Sequence, residues 1–233
     1  MQHEGQGNTP PPNQLVRAAD LQEGGRYEDL AKALSPAEGR QLAKLARAGK
    51  LTDDSVGEAM ALARQEHHNV SAGQLLVIAG KHDVTLPVAS RLADIATEGR
   101  EPLDQGRVSR LFKEVCRATG RSDSEMADLQ EYFKRIPLDR QVKLVEVVGD
   151  LLALADDHEI PLRAVVRLYA HYNEVGATRH AVERAAEIAA VSNNEVYCGA
   201  VVNTMLGAFR NAAQNGSSIQ EVERFIDEGD LQS

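Results

Sequence analysis

The stretch Gly73-Gln-Leu-Leu-Val-Ile-Ala-Gly-Lys-His-Asp-Val-Thr-Leu86 returns 76 residues later as Gly149-Asp-Leu-Leu-Ala-Leu-Ala-Asp-Asp-His-Glu-Ile-Pro-Leu162. Continued to Leu92 and Leu168, the alignment pairs twenty residues, of which eight pairs are identical. The identical pairs are Gly73/Gly149, Leu75/Leu151, Leu76/Leu152, Ala79/Ala155, His82/His158, Leu86/Leu162, Arg91/Arg167 and Leu92/Leu168. Both copies have the pattern of an apolar helix, a short polar loop and a second apolar helix. Repetition of such a unit is typical of folds in which helical hairpins stack side by side.

Helix starts are also well marked. Ser35-Pro-Ala-Glu38 places a capping Ser, a first-turn Pro and a capping-box Glu in order, and Ser71-Ala-Gly-Gln74 is a second capping box. Strand patterns are nearly absent. We therefore predict an all-α fold of stacked helical hairpins, an irregular repeat or multi-helix bundle with about 11–13 helices and no sheet. Helices are predicted near 14–22, 26–34, 36–48, 53–68, 72–81, 86–98, 104–119, 124–135, 138–157, 161–174, 177–191, 195–213 and 219–228.

The repeat also suggests how the chain divides. Residues 1–12 are polar and rich in Gly and Pro, which predicts a disordered N-terminal tail. Two related helical subdomains are expected at 13–136 and 137–233, with the seam at the break formed by Ile136-Pro137. Continuous stacking of the helices would instead make one domain over 13–233.

Composition narrows the classes of function. The net charge of −9 opposes general nucleic-acid binding, which needs Lys and Arg to neutralise phosphates. No apolar run approaches the ~18 residues of a membrane helix, and the N-terminus lacks the pattern of a signal peptide. We expect a cytoplasmic protein, or one secreted without a classical signal, that does not enter membranes. Cys116 and Cys198 lie far apart in apolar helical contexts, so both are predicted to be reduced and buried.

The motifs of common catalytic and metal sites are missing from the sequence. No turn carries the oxygen ligands of a calcium loop, and no Gly-x-Ser-x-Gly nucleophile is present. His82 and His158 are equivalent in the repeat, which would suit a duplicated ligand or pH switch. We favour the simpler interpretation that each histidine lies near the negative C-terminal end of a helix, where its side chain is stabilised. His180 and Glu183 have the reverse of the order used in di-metal bundles. We predict that the protein binds no metal and no cofactor, and the missing motifs favour a non-enzymatic protein over an enzyme.

The first candidate binding surface is a basic stripe on the helix predicted at 104–119. Its residues are spaced by three and four, which keeps them on one side of a helix, while Phe112 and its apolar neighbours face the core. The stripe consists of Arg107, Arg110, Lys113 and Arg117, with Arg121 as a further candidate. It would suit an acidic partner, a phosphate-bearing ligand or nucleic acid. The alternative is a solvated face whose charge is balanced by Glu114 and Asp128.

The second candidate surface lies on the helix predicted at 161–174. It combines Arg167, Tyr169 and Tyr172, with His171 beside them. Tyr and Arg are enriched at protein interfaces, although a tyrosine in this position is as readily part of the core.

The missing catalytic motifs and the repeat together favour a non-enzymatic protein–protein interaction module, a scaffold or adaptor that presents loops and one helix face to a partner helix or peptide. One alternative is a DNA-binding regulator that uses a hairpin such as 75–92 as a helix-turn-helix. Nucleic acid is the less favoured partner because the second helix starts with Leu86-Pro-Val-Ala, which offers no base-reading side chains. Another alternative is a secreted bacterial effector or secretion-apparatus component. The sequence does not indicate an oligomeric state.

Overall fold

A computed structural model describes residues 14–65, 70–97, 102–119 and 124–174, together with Gly207 and Asn215. This part of the chain is built from helices packed against each other without a sheet, which confirms the predicted fold class. Its α-helices are α1 (Glu28–Lys32), α2 (Pro36–Arg47), α3 (Asp53–Gln65), α4 (Ala72–His82), α5 (Leu86–Thr97), α6 (Gln105–Arg117), α7 (Met126–Arg135), α8 (Leu138–Asp157) and α9 (Leu162–Glu174). None of these helices is long and apolar enough to cross a membrane. The predicted tail 1–12 and the predicted helices 177–191, 195–213 and 219–228, apart from Gly207, lie outside the described residues.

The chain groups into two compact units, Met1–Val108 and Ser109–Ser233. In the first unit α4 packs against α2, α3 and α5, and its side chains Leu75, Val77 and Ile78 are fully buried. The division expected after Ile136 stays a prediction.

The second unit is organised around a hairpin and an aromatic pair. Helix α8 packs against α9. The ring of Phe112 on α6 meets the ring of Phe133 on α7 edge to face, with centroids 5.6 Å apart. Both rings are buried, so this contact adds directed packing to the apolar area that they remove from water.

Both copies of the repeat fold as hairpins that are closed by the same turn. In the α4–α5 hairpin the amide of Val84 donates to the carbonyl of Ala79 at 3.0 Å, and in α8–α9 the amide of Ile160 donates to Ala155 at 2.9 Å. The same bond closes α2, where the amide of Lys50 donates to the carbonyl of Leu45. This six-residue closure satisfies carbonyls that a helix end would otherwise leave unpaired.

The two capping boxes form where the sequence predicts them, and their side chains meet. The Ser35 hydroxyl accepts from the amide of Glu38, and Ser71 accepts from Gln74. Nε2 of Gln105, at the start of α6, donates to Oε1 of Glu38 at 3.0 Å, and Nε2 of Gln74 lies 3.5 Å from the same oxygen. Glu38, only 8% exposed, therefore joins the N-terminal ends of three helices through one carboxylate.

The prediction of a helix at 14–22 is wrong. Leu15 instead forms an isolated antiparallel bridge with Thr52, and a single 3-10 turn follows at Ala18–Leu21. The amide of Val16 donates to Leu51 at 3.0 Å, and its side chain is 1% exposed. The segment buries Val16 in an extended conformation and takes its hydrogen bonds from a distant part of the chain, so local helix preference does not decide its structure.

Candidate binding groove

The second unit has a groove that contains one of the predicted surface residues. The Tyr groove, as we call it, encloses about 370 Å³ and is lined by residues from α7, α8, α9 and the end of α6. Its principal lining residues are Tyr132, Ile136, Arg140, Lys143, Leu144 and Tyr169.

A tight connection between α7 and α8 positions this groove. Pro137 precedes the first residue of α8 with φ −56°, a value that its ring favours. The buried side chain of Gln141 turns back and donates from Nε2 to the carbonyl of Ile136 at 3.0 Å. This bond ties the end of α7 to the first turn of α8. It holds Tyr132 and Ile136 beside the α8 face that carries Arg140 and Leu144.

The groove combines an apolar surface with positive charge. Ile136 and Leu144 are partly exposed, whereas Arg140 and Lys143 are exposed. Neither cation makes an ion pair within the part of the chain that the structure describes. Burial raises the pKa of the Tyr169 phenol above its usual range, so at neutral pH this side chain is a neutral hydroxyl that can donate or accept a hydrogen bond. Such a surface suits an apolar ligand with negative charge at its edge.

The structure places Arg167 and Tyr169, which the sequence predicts to share one binding surface, in different surroundings. Tyr169 is half-buried in the groove, whereas Arg167 is exposed and is not among the groove residues. Tyr172 belongs to α9, but its side chain lies outside the described part. Of this predicted set, only Tyr169 is placed in the groove.

The basic stripe lies on α6 as predicted, but its members differ in exposure. Arg110 and Lys113 are exposed, whereas Arg107 and Arg117 are half-buried. Arg117 makes an ion pair with Glu114, the neighbouring acid that the sequence suggested as a balancing charge. Arg121 lies outside the described residues.

Two half-buried groups on α6, Glu114 and Arg107, have unusual surroundings. Burial raises the pKa of Glu114, and the opposing effects of Arg117 and Arg163 are smaller. One terminal nitrogen of Arg107, Nη1, is buried and has no hydrogen-bond partner among the described residues. Whether the stripe binds a partner stays a prediction, for which Arg110 and Lys113 are the accessible members.

Arg140, Lys143 and Tyr132 are among the groove residues that the sequence analysis did not predict. Arg140 and Lys143 lie within the predicted helix 138–157, and their spacing of three with Leu144 and Val147 is the signal that could have placed them on one face. Tyr132 has no comparable signal, since its place depends on how α7 meets α8 and α9.

The residues that the sequence offers as a reactive thiol or as a histidine ligand lie in surroundings that do not favour these roles. Cys116 is buried, and burial raises the pKa of its thiol to about 12, so the thiolate is almost absent at neutral pH. Burial, followed by the charge of Lys81, lowers the pKa of His82 to about 4. Cys198 and His180 lie outside the described residues. Within the described ranges, no three His, Cys, Asp or Glu side chains are grouped as metal ligands would be.

Comparisons with family models, with curated proteins and with solved structures find no match for this chain. No activity, ligand or partner can therefore be carried over from a relative. The Tyr groove and the charges around it are the features of the second unit that suggest a binding site.

Proposed function

We propose that this protein is a non-enzymatic helical interaction module, and that the Tyr groove receives one amphipathic helix of a partner protein. The observation that carries the proposal is the pairing, in one open groove, of an apolar wall containing Leu144 and Tyr169 with two cations, Arg140 and Lys143, that make no ion pair with any described residue. A helix with apolar side chains at three- and four-residue spacing would cover the wall. Acidic residues along the edge of that helix would meet the cations.

The size of the groove sets the expected affinity. About 370 Å³ accommodates two or three large side chains. Each buried aliphatic side chain contributes roughly 1.5–3 kcal/mol, and each exposed ion pair adds about 0.2–1 kcal/mol. After the cost of association, about 4 kcal/mol or more, and of ordering side chains, we expect a dissociation constant of about 10 μM or weaker.

One observation favours protein over DNA as the partner. In the α4–α5 hairpin, the residues that would enter a DNA groove first are Leu86, Val88 and Ala89, and all three are buried. They cannot contact base edges without unpacking the hairpin. The secreted-effector alternative stays a prediction from the sequence alone.

A peptide-display selection against the full chain tests the proposal. We expect helix-forming 16-residue peptides with an apolar stripe and flanking Asp or Glu to be enriched. Binding of a purified hit should weaken at least tenfold in Tyr169→Ala and in Lys143→Glu. The matched control is Lys113→Glu, an equal change of charge on the exposed part of the basic stripe, which should leave binding unchanged.

Two results would contradict the proposal. One is a selection without any enriched helical peptide. The other is a set of hits that bind Tyr169→Ala and Lys143→Glu as tightly as the unaltered chain. Hits that are weakened by Lys113→Glu alone would assign binding to the basic stripe instead.

A further inference from the structure

The first unit contains an open groove of about 530 Å³ at the C-terminal ends of α2 and α4. Four of its eight lining residues are cations and none is an acid, so its charge is one-sided. We call it the lysine groove, and its cations are Arg40, Lys44, Lys50 and Lys81. It shares no residue with the Tyr groove, and the inference does not depend on that site.

Local sequence brings these cations together. Arg40 and Lys44 are four residues apart and therefore lie on one side of α2. Gly49, with φ +67°, ends the helix and returns the chain so that the amide of Lys50 donates to the carbonyl of Leu45 at 3.0 Å. The fourth cation comes from α4, one residue after Gly80.

Gly80 allows α4 to approach α2 closely. A Cβ atom at this position would collide with the side chain of Leu45. The apolar part of the groove lining therefore consists of the Gly80 backbone, the buried Leu45 side chain and Ala48. We call this part of the lining the apolar base.

A simple alternative is that these cations only balance the negative ends of two helices. Each helix end carries the equivalent of about −0.5 charge, so two ends offset about one of the four positive charges. Arg40, Lys44 and Lys50 make no ion pair within the described ranges, and all three are exposed. Of the charges on Arg40, Lys44 and Lys50, helix ends therefore offset about one, and about two have no balancing acid within the described ranges. An acidic ligand would supply that balance.

The surroundings select the kind of anion. A compact phosphate group is usually held by the amide ends of helices, whereas carbonyl ends border this groove. A long nucleic acid would extend beyond the groove over a chain of net charge −9, while screening over about 8 Å confines the attraction to the groove itself. Several carboxylates spaced along a short protein segment can each face a separate cationic side chain. They need no amide end of a helix, and a short segment does not extend over the negatively charged remainder of the chain.

We infer that the lysine groove binds an acidic segment of a partner protein, with three or more carboxylates placed over Arg40, Lys44 and Lys50. An apolar residue between the carboxylates rests on the base formed by Leu45 and Ala48. Since the attraction is between exposed charges, binding weakens as salt is added.

Fluorescence anisotropy with the full chain tests the inference. The probe is a labelled peptide of sequence Glu-Glu-Leu-Glu-Glu-Leu-Glu, compared with the same peptide in which Gln replaces each Glu. We expect the acidic peptide to bind at 50 mM NaCl and to lose about tenfold in affinity in the Lys44→Glu/Lys50→Glu double variant. Arg135→Glu, an equal kind of charge change at an exposed position of α7 that lines neither groove, should leave its binding unchanged.

Competition separates the sources of negative charge. Inorganic triphosphate and duplex DNA at equal charge concentration should displace the acidic peptide less well than the unlabelled peptide does. Equal binding of the Gln peptide, insensitivity to the Lys44→Glu/Lys50→Glu change, or stronger displacement by triphosphate or DNA would each overturn the inference. Circular dichroism of the double variant verifies its fold, which we expect to be intact because both side chains are exposed.

Discussion

Asp83 and Glu159 have the same left-handed backbone conformation, with φ of 54° and 53°, at positions that are equivalent in the repeat. No other described non-glycine residue has a positive φ. The duplication therefore preserves a turn geometry that most side chains disfavour, although the residues themselves differ. In α2, Gly49 occupies the same place in the turn with φ +67°.

The left-handed turns predict a stabilising substitution. Glu159→Gly should raise the free energy of unfolding by about 1 kcal/mol, because glycine adopts this conformation without the steric cost of a Cβ atom. Asp83→Gly should gain less, since a short Asp side chain tolerates the conformation better. Urea denaturation followed by circular dichroism measures both effects.

A nearby glycine substitution serves as the control for these turns. Asp157→Gly, at the exposed last residue of α8, should lower the free energy of unfolding by up to about 1 kcal/mol. Equal losses in Asp157→Gly and Glu159→Gly would show that the turn at Glu159 carries no strain.

A second prediction concerns the close approach at Gly73. A Cβ atom there would lie 2.5 Å from the carbonyl oxygen of Leu30, a backbone atom that cannot move without shifting α1. Gly73→Ala should therefore lower the free energy of unfolding by about 2 kcal/mol. Gly39→Ala, in an open position of α2, should instead raise it by roughly 0.5–1 kcal/mol. Thermal and urea unfolding of the two variants check the opposite signs; the same sign in both would contradict this account of Gly73.

The third prediction concerns the carboxylate of Glu38. Burial raises its pKa, but hydrogen bonds donated by Ser35, Gln105 and Gln74 outweigh burial and leave the pKa below its usual value of 4.5. Because the folded-state pKa is the lower one, the stabilisation is present above pH 4.5 and is lost as pH falls through the folded pKa. Glu38→Gln keeps a capping side chain but removes the charge, so it should cost about 1–2 kcal/mol at pH 7.

Urea unfolding between pH 7 and pH 3 tests this prediction for Glu38. The difference between the unaltered chain and Glu38→Gln should shrink as pH falls below 4.5. Glu58→Gln, at an exposed site on α3, should stay within about 0.5 kcal/mol of the unaltered chain at every pH. A difference for Glu38→Gln that is constant across this range would assign the effect to packing rather than to charge.

The fourth prediction is that Cys116 is inert in the folded protein. Burial raises the pKa of its thiol to about 12. At pH 8 this leaves on the order of a thousandfold less thiolate than a free cysteine has. In a Cys198→Ser background, reaction with a disulfide reagent should therefore be slow in buffer and fast in 8 M urea. Rapid labelling in buffer would place Cys116 in an accessible, reactive environment.

Local signals in the sequence predict most of the described helices. The capping boxes at Ser35 and Ser71 need only residues three apart, so their hydrogen bonds can be anticipated without knowledge of the fold. The pairing of Arg117 with Glu114 is local in the same sense. The extended segment at Val16 cannot be anticipated in this way, because its hydrogen bond comes from Leu51.

The candidate sites depend on contacts between distant segments. Arg140 and Lys143 line a groove because the α7–α8 turn brings Tyr132 beside them and α9 adds Tyr169. The lysine groove likewise needs Gly80 to meet Leu45 from another helix. Sequence periodicity orders side chains within one helix, but the angle and spacing between helices come from packing, which a single sequence does not display.

The bridge between Leu15 and Thr52 bears on the order in which the first unit assembles. Its two residues are 37 apart in sequence, whereas the turns and caps of the neighbouring helices close within six residues. Bringing distant segments together costs more chain entropy, so such a contact is gained late and released early. During refolding, we expect the amide of Val16 to become protected from hydrogen exchange after those of α2 and α3. The bridge is thus expected to form only after the neighbouring helices have formed.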